Sequence, residues 1–317
     1  MTGSRVVALG HYQPAKVLTN HDLAAMVDTS DEWITSRVGI KTRHLGGPDE
    51  PVDELAAHAA AKALAAAGLQ PADIDLVLVA TSTAIDRSPS MSARVAARLG
   101  MSSPAVMDIN VVCSGFTHAL ATADHAVRAG AATRALVIGA DKMGDIVDWT
   151  DRSSCVLMGD GAGAAVVVAE SGPAGRPPGI GPVLWGSVPG MGDAVRIEGT
   201  PPRFAQEGQS VYRWATTQLP PIARKVCEKA GITPEDLAAV VLHQANLRII
   251  EPVARKIGAV NAVIARDVVD SGNTSAASIP MALSKLVERG EVATGAPALL
   301  FGFGGNLSYA GQVIRCP

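Results

Sequence analysis

The chain has 317 residues, 48% hydrophobic, 18% charged and 3% aromatic, with 32 glycines and a formal net charge of −3. At roughly 150 residues per domain this is about two domains, and the hydrophobicity excludes an intrinsically disordered chain. The charge offers no global attraction to nucleic acid, and no apolar run approaches the ~20 residues of a membrane-spanning helix.

Residues 1–10 carry no secretory hydrophobic region and read as a first strand. An Ala-rich helix ends at Gly68, where a left-handed C-cap is expected. A Pro-x-Asp turn at 71–73 leads to a buried strand at 74–80. A second strand, 105–112, runs into Cys113; Gly115 is expected to permit a sharp bend before a helix at 116–129. The Gly-rich run 159–163 looks like a dinucleotide loop, but strand residues follow it where a Rossmann fingerprint needs a helix. The Gly/Pro-rich segment 171–182 reads as a linker, placing one half at 1–170 and the other at 180–317.

The second half repeats this grammar. Gly68, Pro71 and Asp73 are mirrored by Gly231, Pro234 and Asp236, each 163 residues on. LVIG at 136–139 matches LLFG at 299–302 with the same offset, while VVCSGFT at 111–117 matches VVDSGNT at 268–274 with an offset of 157. A strand at 237–242 and helices at 247–257 and 274–289 complete the copy. Such self-similarity predicts an α/β protein made of two duplicated halves, with mostly parallel strand pairing.

Three polar residues fall at strand-to-helix junctions of this repeat. Cys113 is placed at a helix N-terminus, where the macrodipole favours thiolate; a buried, inert cysteine is the competing reading. His243 ends a central strand, where ligands bind in open α/β sheets. Asn273 lies three residues beyond the position that mirrors Cys113, and an ordinary N-cap would also explain it. Together the three make a stronger signal than any alone. The other cysteines, 155, 227 and 316, have no CxxC spacing and read as structural, with reduced cytosolic thiols the default and no metal site expected.

The segments VDTSDEWITSRVGIKTRH (27–44), DINVVCSGF (108–116), GDGAGAAVV (159–167), HQANLRII (243–250) and GNTSAASIP (272–280) resemble the thiolase superfamily. Within it they resemble the β-ketoacyl-[acyl-carrier-protein] synthase III enzymes. The resemblance implies a thiolase-like fold with layers αβαβα and a cytoplasmic homodimer without cofactor. It also implies ping-pong condensation of a short acyl-CoA with malonyl-ACP, starting fatty acid synthesis. Cys113 would carry the acyl group, with Cys113 and Gly305 backbone N–H groups as oxyanion donors. His243 and Asn273 would hold the malonyl enolate. Trp33 and Arg152 would clamp the CoA adenine, Arg37 would meet CoA phosphates, and Thr29 would line the acyl tunnel. Arg248, Arg255 and Lys256 on the helix 247–257 would dock the acidic carrier protein, or simply form a solvated face. Asn306, where a third glycine is usual, and the variable 193–203 region point to the alternative of a polyketide or other secondary-metabolite enzyme. A non-catalytic partner subunit would lack the nucleophile, and Cys113 is present.

Overall fold

The computed structural model describes residues 3–170 and 178–317. The first sheet comprises β1 (Gly3–Tyr12), β2 (Leu76–Ala80), β3 (Ala105–Ile109), β4 (Arg134–Lys142) and β5 (Asp160–Glu170), in the order β1-β5-β4-β2-β3. The second comprises β6 (Leu184–Gly186), β7 (Ala239–Leu242), β8 (Val263–Ile264), β9 (Pro297–Phe303) and β10 (Tyr309–Arg315), in the order β6-β10-β9-β7-β8. In each sheet the strand second from one edge (β2, β7) pairs parallel on both sides, and the other two pairings are antiparallel. The halves are therefore duplicates, but of a mixed sheet; the mostly parallel pairing expected from sequence does not hold. Much of the expected linker, 171–177, lies outside the described residues.

Strand periodicity builds the layers. Leu76, Leu78 and Ala80 face one core, while Val77 and Val79 face another, packed on α2 (Val52–Ala67) and α3 (Met91–Arg98). In β7, Ala239 and Val241 join the first of these cores, and Val240 and Leu242 face a third. The shared central core holds α4 (Gly115–Arg128) and α7 (Ser278–Glu288); the third is covered by α5 (Gly208–Lys229) and α6 (Leu247–Ile257). The result is helix, sheet, helix, sheet, helix. A two-stranded ribbon, Val195–Glu198 with Arg203–Gln206, occupies the variable 193–203 region.

The geometry revises one alignment. Val112 and Ser275, 163 residues apart, both have positive φ (47° and 50°) and each opens a 3-10 turn before a central helix. Cys113 therefore corresponds to Ala276, and the seven residues 268–274 stand where the first half has only residues 110 and 111. Leu76 pairs with Ala105 and Ala239 with Val263, so β3 and β8 are offset by 158. The second copy thus gains five residues between strand and turn, and Asn273 rides on them, three positions before the residue that mirrors Cys113. The two turns meet across the halves. A Cβ at Gly139 on β4 would lie 2.3 Å from the Ala276 carbonyl oxygen, and one at Gly302 on β9 would lie 3.0 Å from the Ser114 Cα. Only glycine lets each turn rest on the other half's central strand.

Candidate active site

Cys113 sits in the 3-10 turn Val112–Ser114, between β3 and α4. The bend is made by Val112, whose φ of +47° costs a β-branched residue about 1–3 kcal/mol. Gly115, expected to make it, is ordinary helix at φ −56°; a Cβ there would crowd Ala80 at 2.9 Å, so its glycine serves packing. The Cys113 thiol is buried beneath Gly304, Gly305 and Ser275. Burial pushes its pKa up to about 11, against the downward pull of the Ser275 hydroxyl and the Gly305 N–H. Desolvation thus outweighs the helix N-terminus, and the thiol rather than the expected thiolate is favoured in the free enzyme.

His243 follows β7 directly, and Asn273 precedes the 3-10 turn Ser275–Ala277. His243 is 2% exposed, with Nδ1 2.8 Å from Ser278 Oγ, and burial pushes its pKa down to about 3. The ring is neutral at working pH. Ser278 Oγ also accepts the Gln244 N–H at 3.3 Å. Asn273 Oδ1 accepts the Ser275 N–H at 2.9 Å, which leaves its NH2 group for other partners. Phe303 stands edge-on to the imidazole, with ring centroids 5.4 Å apart.

Cys113, His243 and Asn273 line one cleft of about 770 Å³, together with Gly304 and Gly305. The loops bearing the two N–H groups at Cys113 are bolted together. Ser114 Oγ lies 2.8 Å from Ser308 Oγ, which donates to the Gly305 carbonyl at 2.8 Å. Asn306 has φ +60°, a left-handed conformation in which asparagine replaces glycine with little strain, so its departure from the glycine pattern keeps the turn. Exposed Arg37, Arg213 and Arg248 also line the cleft.

The remaining expected residues are divided. Trp33 lies in the first turn of α1 (Asp31–Val38). The Arg152 guanidinium carbon is 4.8 Å from the Trp33 ring centroid and that of Arg37 is 5.7 Å away. A ring stacked between Trp33 and Arg152 needs them about 7 Å apart, twice the ~3.5 Å van der Waals contact, so this pair is closed on itself. Arg152 also donates to the Asp28 carbonyl at 2.6 Å. Neither Thr29, Trp33 nor Arg152 lines the cleft itself. Arg255 borders a separate hollow with Glu251 and Arg266, and Lys256 Nζ donates to the Thr216 carbonyl at 2.7 Å; only Arg248 of that trio reaches the cleft. Sequence reasoning missed Ser278, Arg213 and Phe303. Ser278, a polar residue opening an apolar helix, was the one with a visible signal. Among the described residues no group of three His, Cys, Asp or Glu is placed to hold a metal ion, and no helix is long and apolar enough to cross a membrane.

Two duplicated α/β halves in five layers, meeting at a cysteine turn in a shared cleft, define a condensing acyltransferase of thiolase fold. Known proteins resolve the family. Residues 107–180 match the family model 3-Oxoacyl-[acyl-carrier-protein (ACP)] synthase III, and residues 227–316 match its C-terminal model. Over 317 residues, all of both chains, the sequence is 82% identical to Beta-ketoacyl-[acyl-carrier-protein] synthase III 2 of Streptomyces avermitilis. The priming β-ketosynthase of the R1128 polyketide pathway is 39% identical, with a TM-score of 0.96 over 100% of this chain and 97% of that one. The Aquifex aeolicus 3-oxoacyl-[acyl-carrier-protein] synthase III is 38% identical, with a TM-score of 0.92 over 99% and 100%. The chain belongs to the β-ketoacyl-[acyl-carrier-protein] synthase III family of condensing acyltransferases.

Proposed function

We propose that this enzyme condenses a short acyl-CoA with malonyl-ACP through an S-acyl Cys113, the first elongation of fatty acid synthesis. The observation that carries the assignment is one buried cleft holding Cys113, His243 and Asn273. The Cys113 sulfur attacks the acyl-CoA carbonyl, and the departing CoA sulfur takes up the thiol proton. Cys113 and Gly305 N–H groups receive the tetrahedral oxyanion, an interaction worth ~3 kcal/mol per donor. Malonyl-ACP then loses CO2, leaving an enolate on its thioester oxygen. Ser278 Oγ accepts from Gln244 N–H and gives its own proton to His243 Nδ1, which puts the imidazole proton on Nε2. That N–H and the Asn273 NH2 hold the enolate oxygen. Its carbon attacks the acyl-Cys113 carbonyl, and collapse releases the β-ketoacyl-ACP and the Cys113 thiolate, which takes up a proton from solvent to restore the thiol.

Arg37, Arg213 and Arg248 around the cleft suit CoA phosphates and the phosphopantetheine of an acidic carrier protein. Adenine stacking on Trp33 requires Arg152 to swing away first. Arg255 and Lys256 extend the docking face only at its margin. The reaction requires no metal or organic cofactor. We assign the catalytic cysteine to residues 1–170 and its two partners to 180–317, so the site is complete only where the halves meet. The edge strand β3 exposes Val106 (40%) and Met107 (48%), an apolar edge suited to pairing with a second copy in a homodimer. Four unpaired cysteines suit the cytoplasm.

Incubation with a panel of short acyl-CoAs, read by intact mass, is expected to load Cys113 and to be abolished in Cys113→Ala. No adduct with any short acyl-CoA overturns the assignment. Similarity to the R1128 priming ketosynthase supports a second reading, a polyketide starter role. Acyl transfer without CO2 release from malonyl-ACP would favour it.

A further inference from the structure

Asp141 ends the core of β4 with no exposed surface, and Gly304 stands 163 residues later at the equivalent point after β9. The two positions face opposite turns. A Cβ on Gly304 would lie 2.6 Å from the Cys113 Cβ, so glycine leaves that turn open to the cleft. Asp141 fills the matching space at the other turn. Its Oδ2 accepts the N–H of Ala276, the residue that mirrors Cys113, at 3.0 Å. Its Oδ1 accepts the Ser82 N–H at 2.8 Å and the hydroxyls of Thr83 (2.9 Å), Thr81 (3.1 Å) and Ser82 (3.2 Å).

A buried carboxylate is thus held where a substrate oxyanion would lie if the second turn carried a nucleophile. The turn it holds is strained, with Ser275 at φ +50°. The Ser275 N–H is also the group that fixes Asn273 Oδ1. We propose that Asp141 is a positioning residue: its carboxylate locks the non-catalytic turn as an oxyanion would, and thereby aims Asn273 at the malonyl thioester. This rests on the enolate role of Asn273 given above.

The asparagine isostere tests it sharply. Each carboxylate oxygen faces one backbone N–H, Ser82 on one side and Ala276 on the other. Asparagine has a single oxygen, so one N–H must meet an NH2 group, whichever way the amide turns. Two half-reactions are measured: acylation of Cys113 by intact mass, and CO2 release from malonyl-ACP by the preloaded enzyme. Asp141→Asn is expected to slow CO2 release roughly tenfold or more while acylation stays within about threefold. Combined with Asn273→Ala it should add no further loss, since both act through one amide. Equal losses in both half-reactions, no loss in either, or additive losses in the double variant overturn the proposal. Should Asp141→Asn not fold, Thr83→Val removes one donor to Oδ1, and the same split, or its absence, decides. Failure of the wild-type enzyme to release CO2 would instead overturn the functional reading itself.

Discussion

Ser278→Ala isolates the tautomer of His243. The imidazole is neutral because burial drives its pKa down to about 3, so only one ring nitrogen can donate. The Ser278 hydroxyl, 2.8 Å from Nδ1, decides which. Alanine leaves the Nδ1 lone pair and the Gln244 N–H without that oxygen, each in a buried setting where a missing partner costs about 1–3 kcal/mol. The ring then loses its bias toward Nε2–H, and the enolate loses an aimed donor. Loss of an entire such donor costs ~10²–10³ in rate, and the histidine itself remains, so the expected loss in CO2 release is roughly ten- to hundredfold. Acylation of Cys113 does not use this donor and should change by less than about threefold. A rapid-quench measurement of CO2 release beside an intact-mass time course of acylation separates the two. Equal slowing of both, or unchanged CO2 release, would refute the tautomer assignment. Because Ser278 acts through His243 and Asp141 through Asn273, the losses of Ser278→Ala and Asp141→Asn should add.

Other consequences are open to direct measurement. With the Cys113 thiol pushed up to about 11, its alkylation by iodoacetamide in the empty enzyme should accelerate roughly tenfold per pH unit from 7 to 10; a plateau near pH 8.5 would contradict this. His243 stays neutral in the fold but protonates below 6.5 when unfolded. Its contribution is therefore complete above that pH and is lost as pH falls toward 3, at up to about 1.4 kcal/mol per unit. Denaturant midpoints at pH 6.5 and 5.0 should converge in His243→Gln. Asn306→Gly should be near neutral in melting temperature, whereas Asn306→Val at φ +60° should cost about 1–3 kcal/mol and slow acylation through Gly305. Arg152→Ala should change KM for acyl-CoA and leave kcat alone, since the guanidinium touches Trp33 and not the reacting atoms.

What could be read in the sequence follows from how local each signal is. Hydrophobic period and the glycine C-caps act within one element, and the helix Leu247–Ile257 is found where its pattern places it. Pairing sense is not local. Antiparallel β5 and β10 read as the same apolar runs as parallel strands, so the mixed sheets were hidden. Cys113, His243 and Asn273 are visible because each stands beside a strand end or turn, yet the reason they meet lies in Gly139 and Gly302: the repeat pairs these two glycines, but what their missing side chains make room for comes from the other half. Thiol acidity is hidden for the same reason: a helix N-terminus is visible in sequence, and the desolvation that outweighs it comes with packing against the other half of the chain.

Duplication also explains why there is one nucleophile and not two. Both turns keep the strained geometry, +47° at Val112 and +50° at Ser275, which a fold would shed if it served nothing. In the first turn the strain presents a sulfur beside open space under Gly304. In the second, the five-residue insertion brings Asn273 and the Asp141 carboxylate closes the space, so a turn once equivalent becomes support for its twin. Installing cysteine at Ala276 would therefore not create a second site: its N–H is already taken by Asp141 at 3.0 Å, and an acyl oxyanion would meet a carboxylate where the working turn offers open N–H groups. The Ala276→Cys enzyme should load one acyl group and not two, and a second adduct by mass would show that the Asp141 pocket opens.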